Sequence, residues 1–299
     1  MTDMTEMLFD PAAPLKPSGN LRRRQIVNRV AETGATAAAV LAIAVLGIVI
    51  FAVVAHGAAA LSWHFLTHNP PAFGPGGGIA PAIVGTVVIV ALATAIAMPL
   101  GVLVAIYLTE FAGPRGGGPI RLVLDVMNGL PSIVVAVFVF GLLVVGHGQT
   151  GFAGSVALAI IMLPLIARSS QEVLLLVPAT QREAADALGV ARWRSIIGVI
   201  LPGALGGILT GTVLAVARAA GETAPLLVLT SIAPPTVGVN PFGHALPNIP
   251  VYIFTLSEQA DPQGFTRAWG AAFVLLVFIL ISSLGARALL ARSRSKISR

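Results

Sequence analysis

Long apolar runs separated by short polar stretches organise this chain. About 20 apolar residues carry a helix across the hydrocarbon core of a bilayer. Six segments reach or approach that length: Gly34–Ala55, roughly Ala80–Leu108, about Met127–Val145, about Gly151–Ala167, about Ile197–Ala217 and about Ala268–Leu290. The pattern predicts an all-α integral membrane protein with six transmembrane helices. Pro99 is expected to kink the second helix, and Pro131 falls near the start of the third. Two stretches resist the scheme. Pro70–Gly78 is dense in Pro and Gly and reads as a loop. Leu226–Ala233, bounded by Pro225 and by Pro234-Pro235, is apolar but too short to span. It fits a re-entrant piece or a broken continuation of the fifth helix, which lipid tolerates only where it faces protein or water.

Charge placement orients the helices. Counted by the positive-inside rule with both termini in the cytoplasm, all of the 18 basic residues except Arg218 and Arg267 fall inside. The inside set is Lys16, Arg22, Arg23, Arg24 and Arg29 in the N-terminal tail, Arg115 and Arg121 after the second helix, Arg168, Arg182, Arg192 and Arg194 after the fourth, and Arg287, Arg292, Arg294, Lys296 and Arg299 at the end. The first outer segment, His56–Gly78, holds three His but no Lys or Arg, and Thr236–Pro262 forms a long outer segment. Ala58-Ala59-Ala60 resembles a cleavage site, yet the 22-residue run before it exceeds a signal-peptide core, so it reads as a retained anchor.

Composition agrees. The chain has 299 residues, 56% apolar and 10% charged, with a mean hydropathy of +0.92. A soluble domain carries about 25% charge. The net charge of +6 marks topology, so a nucleic-acid partner is not expected. Without cysteine the chain can form neither disulfide nor thiolate metal site. His56, His64 and His68 lack metal-site spacing, and Trp63 and Trp269 suit the membrane interface. Asp125 and Asn128 read as helix-start residues near the third span.

Two constellations remain. Arg218 and Glu222, four apart, are expected on one helix face, one turn apart. An ionisable residue within a membrane segment is costly, so it marks function by default. From Ile197, Arg218 lies about 30 Å along an ideal helix, near the outer boundary. Between the fourth and fifth spans, Thr180-Gln181-Arg182-Glu183 reads as a capping box opening a short helix. Arg182 and Asp186 are spaced to pair, and Gly189 suits the stop. So short a helix is unstable alone and needs a surface to dock on; the plainer reading is an ordinary interhelical loop.

Glu183-Ala184-Ala185, three residues, Gly189, nine residues, then Val199-Ile200-Leu201-Pro202 resembles the "EAA" cytoplasmic loop of binding-protein-dependent ABC importer permeases, with Val199 where the family has Ile. Arg218-Ala219-Ala220-Gly221-Glu222-Thr223-Ala224-Pro225 is similar to a run in the phosphate importer permeases. The resemblance covers about residues 80–290. It implies a type I importer permease core there, with a coupling loop at about 168–196, preceded by a tail (1–33) and a first helix (34–55) and followed by a tail (291–299). It implies a complex in the cell membrane with a related permease, a homodimeric ATPase that binds the ATP, and an extracytoplasmic phosphate-binding protein. Glu183, Ala184, Ala185, Gly189 and Pro202 then belong to the ATPase-coupling loop, and Arg218, Glu222 and Thr223 to the substrate path.

Residue chemistry is compatible with that path. A guanidinium fork binds phosphate oxygens bidentately, and a carboxylate beside it accepts from a protonated oxygen that sulfate lacks at neutral pH. A purely structural clasp is the competing reading. No G-x-x-x-x-G-K-[ST] run occurs, so ATP hydrolysis by that route is not expected of this chain, nor is any cofactor of its own. Alternatives are a permease for molybdate or sulfate, an autonomous channel, or a membrane enzyme. A channel has no use for a docking loop, and no nucleophile–base pair at depth suggests an enzyme.

Overall fold

The computed structural model describes residues 20–71, 76–113, 116–259 and 261–297. Lys16, Arg115, Arg299 and residues 72–75 of the Pro/Gly-rich loop lie outside the described residues. Every regular element among the described residues is helical. Among the described residues, five helices are long and apolar enough to cross a membrane, or six if one bent pair counts as a span.

The chain divides into two units, Met1–Ala52 and Val53–Arg299. Helix α1, Leu21–Gly57, supplies the described part of the first. Its apolar side chains, among them Leu41, Ile43, Leu46, Ile48 and Phe51, are exposed around the helix. A helix apolar on all sides is suited to lipid.

After the short helix α2 (Trp63–Thr67), the second unit is built on α3 (Ala80–Ile106) and α6 (Gly151–Leu175), its most extensively packed pair. Along α3 the residues Gly85, Ile89, Ala93, Ala97, Gly101 and Ala105 are buried at every fourth position. Small residues let helix backbones approach where no hydrophobic force separates protein from lipid. A Cβ on Gly101 would meet Ile166 of α6 at 2.9 Å. Helix α9, Leu201–Ala219, repeats the device: a Cβ on Gly207 would meet Val173 at 2.5 Å and one on Gly211 would meet Ser169 at 2.2 Å. Ile89, Ala93, Leu158, Met162, Ile166, Ala215 and Ala219 share one core. Pro99 and Pro164 lie inside uninterrupted helices.

The third expected span is broken. Helix α4, Gly117–Gly129, ends at Leu130–Pro131, and α5, Ser132–Val139, continues as a π-helical turn to Val144. The two halves meet at 99°. A proline disfavours helical geometry in the residue before it, and Leu130 is accordingly extended, with ψ 133°. Asp125 sits within α4 rather than at a helix start, and pairs with Arg168 of α6.

The fifth span runs as α8 (Arg192–Ser195), a π-helical turn Ile196–Ile200, and α9. Pro202, in the first turn of α9, has no N–H, which fits the widened turn before it. The last helix, α12, runs from Pro262 to Ile297, past the expected end at Leu290.

The segment after α10 (Ala224–Thr230) is not simply an outer loop. Residues Ala245, Leu246, Asn248 and Ile249 are buried. The carbonyls of His244 and Pro241 accept from Gly151 and Phe152 at 3.0 and 2.7 Å, closing the start of α6. Asn248 caps α11 (Ile249–Glu258) by accepting from Val251 N–H at 3.1 Å, and donates to Thr230 Oγ1 at 2.8 Å. Thr86 Oγ1 accepts from Ile249 N–H at 2.9 Å. Gln149 holds the end of α10: its amide donates to the Val228 carbonyl at 2.9 Å, and its oxygen accepts from Ile232 N–H at 2.8 Å.

Candidate substrate-path and coupling sites

Arg218 lies in the last turn of α9. The helix then closes: Ala220 N–H donates to Val216, and Glu222 N–H donates to Ala219 at 3.1 Å. Glu222 therefore stands beyond the helix, in the turn that leads to α10, and not one turn further along it as its spacing suggested. Its carboxylate reaches back to Arg218, with Nε–Oε1 at 3.8 Å. That separation gives an ion pair but no hydrogen bond. The Arg218 side chain is 56% exposed and that of Glu222 21%. Thr223 starts α10; its carbonyl accepts from Leu227 N–H at 2.9 Å, and its side chain makes no cap bond. The three residues thus share one turn between two helices, with a fork of donors on an open face.

The second site starts at Pro178, where α7 (Ala179–Ala187) opens without a side-chain cap bond. Thr180 is inside the helix, so the expected capping box does not form, and Glu183 is exposed. Ala184 is also exposed, while Ala185 is the residue α7 buries. The stop is as expected. Gly189 has φ +67°, its N–H donates to Asp186, and Val190 N–H donates to Ala185, each at 3.0 Å. This pair of bonds closes a Schellman motif, which calls for a left-handed residue at that position. Leu175 and Leu176 precede α7 in the chain and Leu188, Val190 and Trp193 follow it, and all are exposed. Pro202, expected in this loop, belongs instead to the first turn of α9.

Arg182 does not pair with Asp186. Its Nε and Nη2 donate to Oε1 of Glu110 at 3.1 and 3.0 Å. Nη1 donates to the Val177 carbonyl at 2.7 Å and Nη2 to that of Leu174 at 2.9 Å. Glu110 sits in the π-helical turn Tyr107–Phe111 that ends α3, and its side chain is 4% exposed. Sequence reasoning missed it. The available signal was a lone carboxylate at the end of an apolar run, in Tyr107-Leu108-Thr109-Glu110-Phe111.

The histidines pair without forming a cluster. His64 and His68 stack with ring centroids 3.8 Å apart, and His56 stacks on Trp269 at 4.9 Å. Among the described residues, no three His, Cys, Asp or Glu side chains are grouped to hold a metal ion.

Similar proteins agree with this architecture. The chain is 36% identical over 289 residues, 94% of either chain, to the phosphate transport system permease protein PstA 1 of Mycobacterium tuberculosis (strain CDC 1551 / Oshkosh). It is 35% identical over 249 residues to the phosphate transport system permease protein PstA of Yersinia pestis, covering 82% of this chain and 84% of that one. Among solved structures, a bacterial alginate ABC transporter in complex with its alginate pentasaccharide-bound periplasmic protein superposes over 91% of this chain and 98% of its own, with TM-score 0.65 and 14% identity. An inward-facing MetNI methionine ABC transporter covers 72% of this chain and 94% of its own, with TM-score 0.57 and 18% identity. Identities that low carry the fold alone. Residues 97–295 match the family described as binding-protein-dependent transport system inner membrane component, and with those relatives this makes the chain a member of that family.

Proposed function

We propose that this chain is a membrane-spanning permease subunit of an ATP-driven importer of inorganic phosphate. The observation that carries the reading is near-full-length likeness to permeases named for phosphate transport, 36% identical over 94% of the chain. Arg218, Glu222 and Thr223 line the path. The exposed guanidinium offers phosphate a bidentate fork, and Glu222 both balances its charge and accepts from a protonated phosphate oxygen. Because Arg218 stands on an open face, the path is completed by a second membrane subunit, a related permease. The exposed apolar residues around α7 dock this loop on a homodimeric ATPase, which binds and hydrolyses the ATP. An extracytoplasmic phosphate-binding protein delivers the anion. The termini lie in the cytoplasm, a placement supported by the excess of basic residues in the segments on that side.

Phosphate uptake into vesicles containing the assembled complex tests this reading. ATP-dependent uptake is expected, competed by arsenate and not by sulfate. Uptake of sulfate or molybdate in place of phosphate would overturn the substrate, and uptake without ATP would overturn the class.

A further inference from the structure

We propose that Glu110 is a positioning residue of the transport cycle. Its buried carboxylate, by holding Arg182, ties the coupling helix α7 to the ends of α3 and α6, so that a displacement of α7 reaches both at once. This rests on the importer reading above.

The inference begins with what α7 lacks. Nine residues make a helix too short to hold itself in water. Only Ala185 is buried, and a single methyl group cannot fix a helix against sliding or rotation. The position of α7 is therefore set by something other than apolar burial. Arg182 is at its centre, and the guanidinium makes four hydrogen bonds to three acceptors: Glu110 Oε1 twice, the Leu174 carbonyl and the Val177 carbonyl. Leu174 belongs to the last turn of α6, and its carbonyl, which accepts from Val177 N–H at 3.3 Å, has a second lone pair for the guanidinium. Glu110 sits in the turn that ends α3. One planar fork thus joins three elements, in directions that an ammonium group cannot reproduce.

Burial separates this pair from the others. The Glu110 side chain is 4% exposed and that of Arg182 26%, against 32% and 63% for Arg168 and Asp125. A solvated pair yields as its side chains move. A buried, multiply bonded pair admits one register, because a slip strands a charge away from water. Such a joint transmits displacement instead of absorbing it.

The test uses the complete complex. The chain has no cysteine, so with cysteine-free partner subunits Asp186→Cys places a single nitroxide on α7. In Glu110→Gln the nitroxide is expected to become more mobile. The complex should still assemble and hydrolyse ATP, while phosphate moved per ATP falls about tenfold. Glu110→Asp, which keeps the charge, should recover part of the ratio. If the unpaired arginine of Glu110→Gln blocks assembly, Glu110→Gln with Arg182→Met removes it. That double variant should assemble and remain uncoupled. An unchanged nitroxide spectrum, or a normal ratio of phosphate to ATP in either assembled variant, overturns the proposal. A wild-type complex that moves no phosphate would fail the substrate reading alone, since the spectra still decide whether Glu110 holds α7.

Discussion

A Cβ on Gly85 would lie 1.9 Å from the carbonyl oxygen of Pro247. The loop before α11 is thus pressed onto α3 at a point where only hydrogen fits, and beside it Thr86 accepts from Ile249 N–H and Asn248 donates to Thr230. Gly85→Ala should lower the stability of the purified chain by about 1–3 kcal/mol, through forced displacement of packed backbone. Gly118→Ala, on a helix with nothing within 4 Å of the added methyl, is the control and should be neutral or slightly stabilising. Thermal unfolding of both variants in detergent checks the contrast.

Gly189 is constrained by conformation and not by space, since a Cβ there meets nothing within 4 Å. Its φ of +67° disfavours a side chain by about 1–2 kcal/mol, and least for asparagine. Gly189→Asn should retain most transport, while Gly189→Val should leave the protein inserted but reduce phosphate moved per ATP. Equal transport by the two variants would show that the left-handed stop is irrelevant to coupling.

Arg218→Gln should sharply reduce phosphate uptake with little loss of assembled complex, because the side chain is 56% exposed and supports little packing. Exchanging the two residues, Arg218→Glu with Glu222→Arg, separates the roles. Assembly without uptake is expected. Full recovery of uptake would mean that the pair only clasps the turn.

Gln149 satisfies the Val228 carbonyl and Ile232 N–H at the end of α10. Gln149→Leu removes both partners, and at so open a turn each lost hydrogen bond is worth about 0.5–1.5 kcal/mol. Amide hydrogen exchange across residues 228–232 should accelerate, with exchange in the centre of α6 unchanged.

Asp125→Asn is expected to do little. The Asp125 side chain is well exposed and that of Arg168 partly so, and such solvated pairs contribute about 0–1 kcal/mol. A thermal midpoint within about 2 °C of wild type is the expected result. A larger loss would mean that this face is buried in the assembly.

What was legible in the sequence follows from range. Helices α3, α6 and α9 declare themselves by apolar length, and Gly189 by the glycine that a helix stop favours. The break at Pro131 was hidden because apolar residues continue on both sides of it, so composition shows one run where geometry makes two. Thr180 and Glu183 have capping-box spacing, yet the helix opens earlier, at Pro178, and takes Thr180 into its interior. Arg182 had a local partner available in Asp186, but the buried carboxylate of Glu110, 72 residues away, won it. Short-range spacing carries no trace of such a choice. The inward turn of Pro241–Ile249 escaped for the same reason, since its bonds reach α3, α6 and α10.

The 99° break between α4 and α5 has a consequence for the surrounding bilayer. From Ser132 to Val144 the second half rises about 20 Å, short of the roughly 30 Å hydrocarbon core. At Leu130 and Pro131 the helical ladder is interrupted, and acyl chains cannot satisfy the peptide groups it frees. Annular lipid therefore cannot form a continuous sheath along this flank. The flank is either hydrated or covered by another polypeptide.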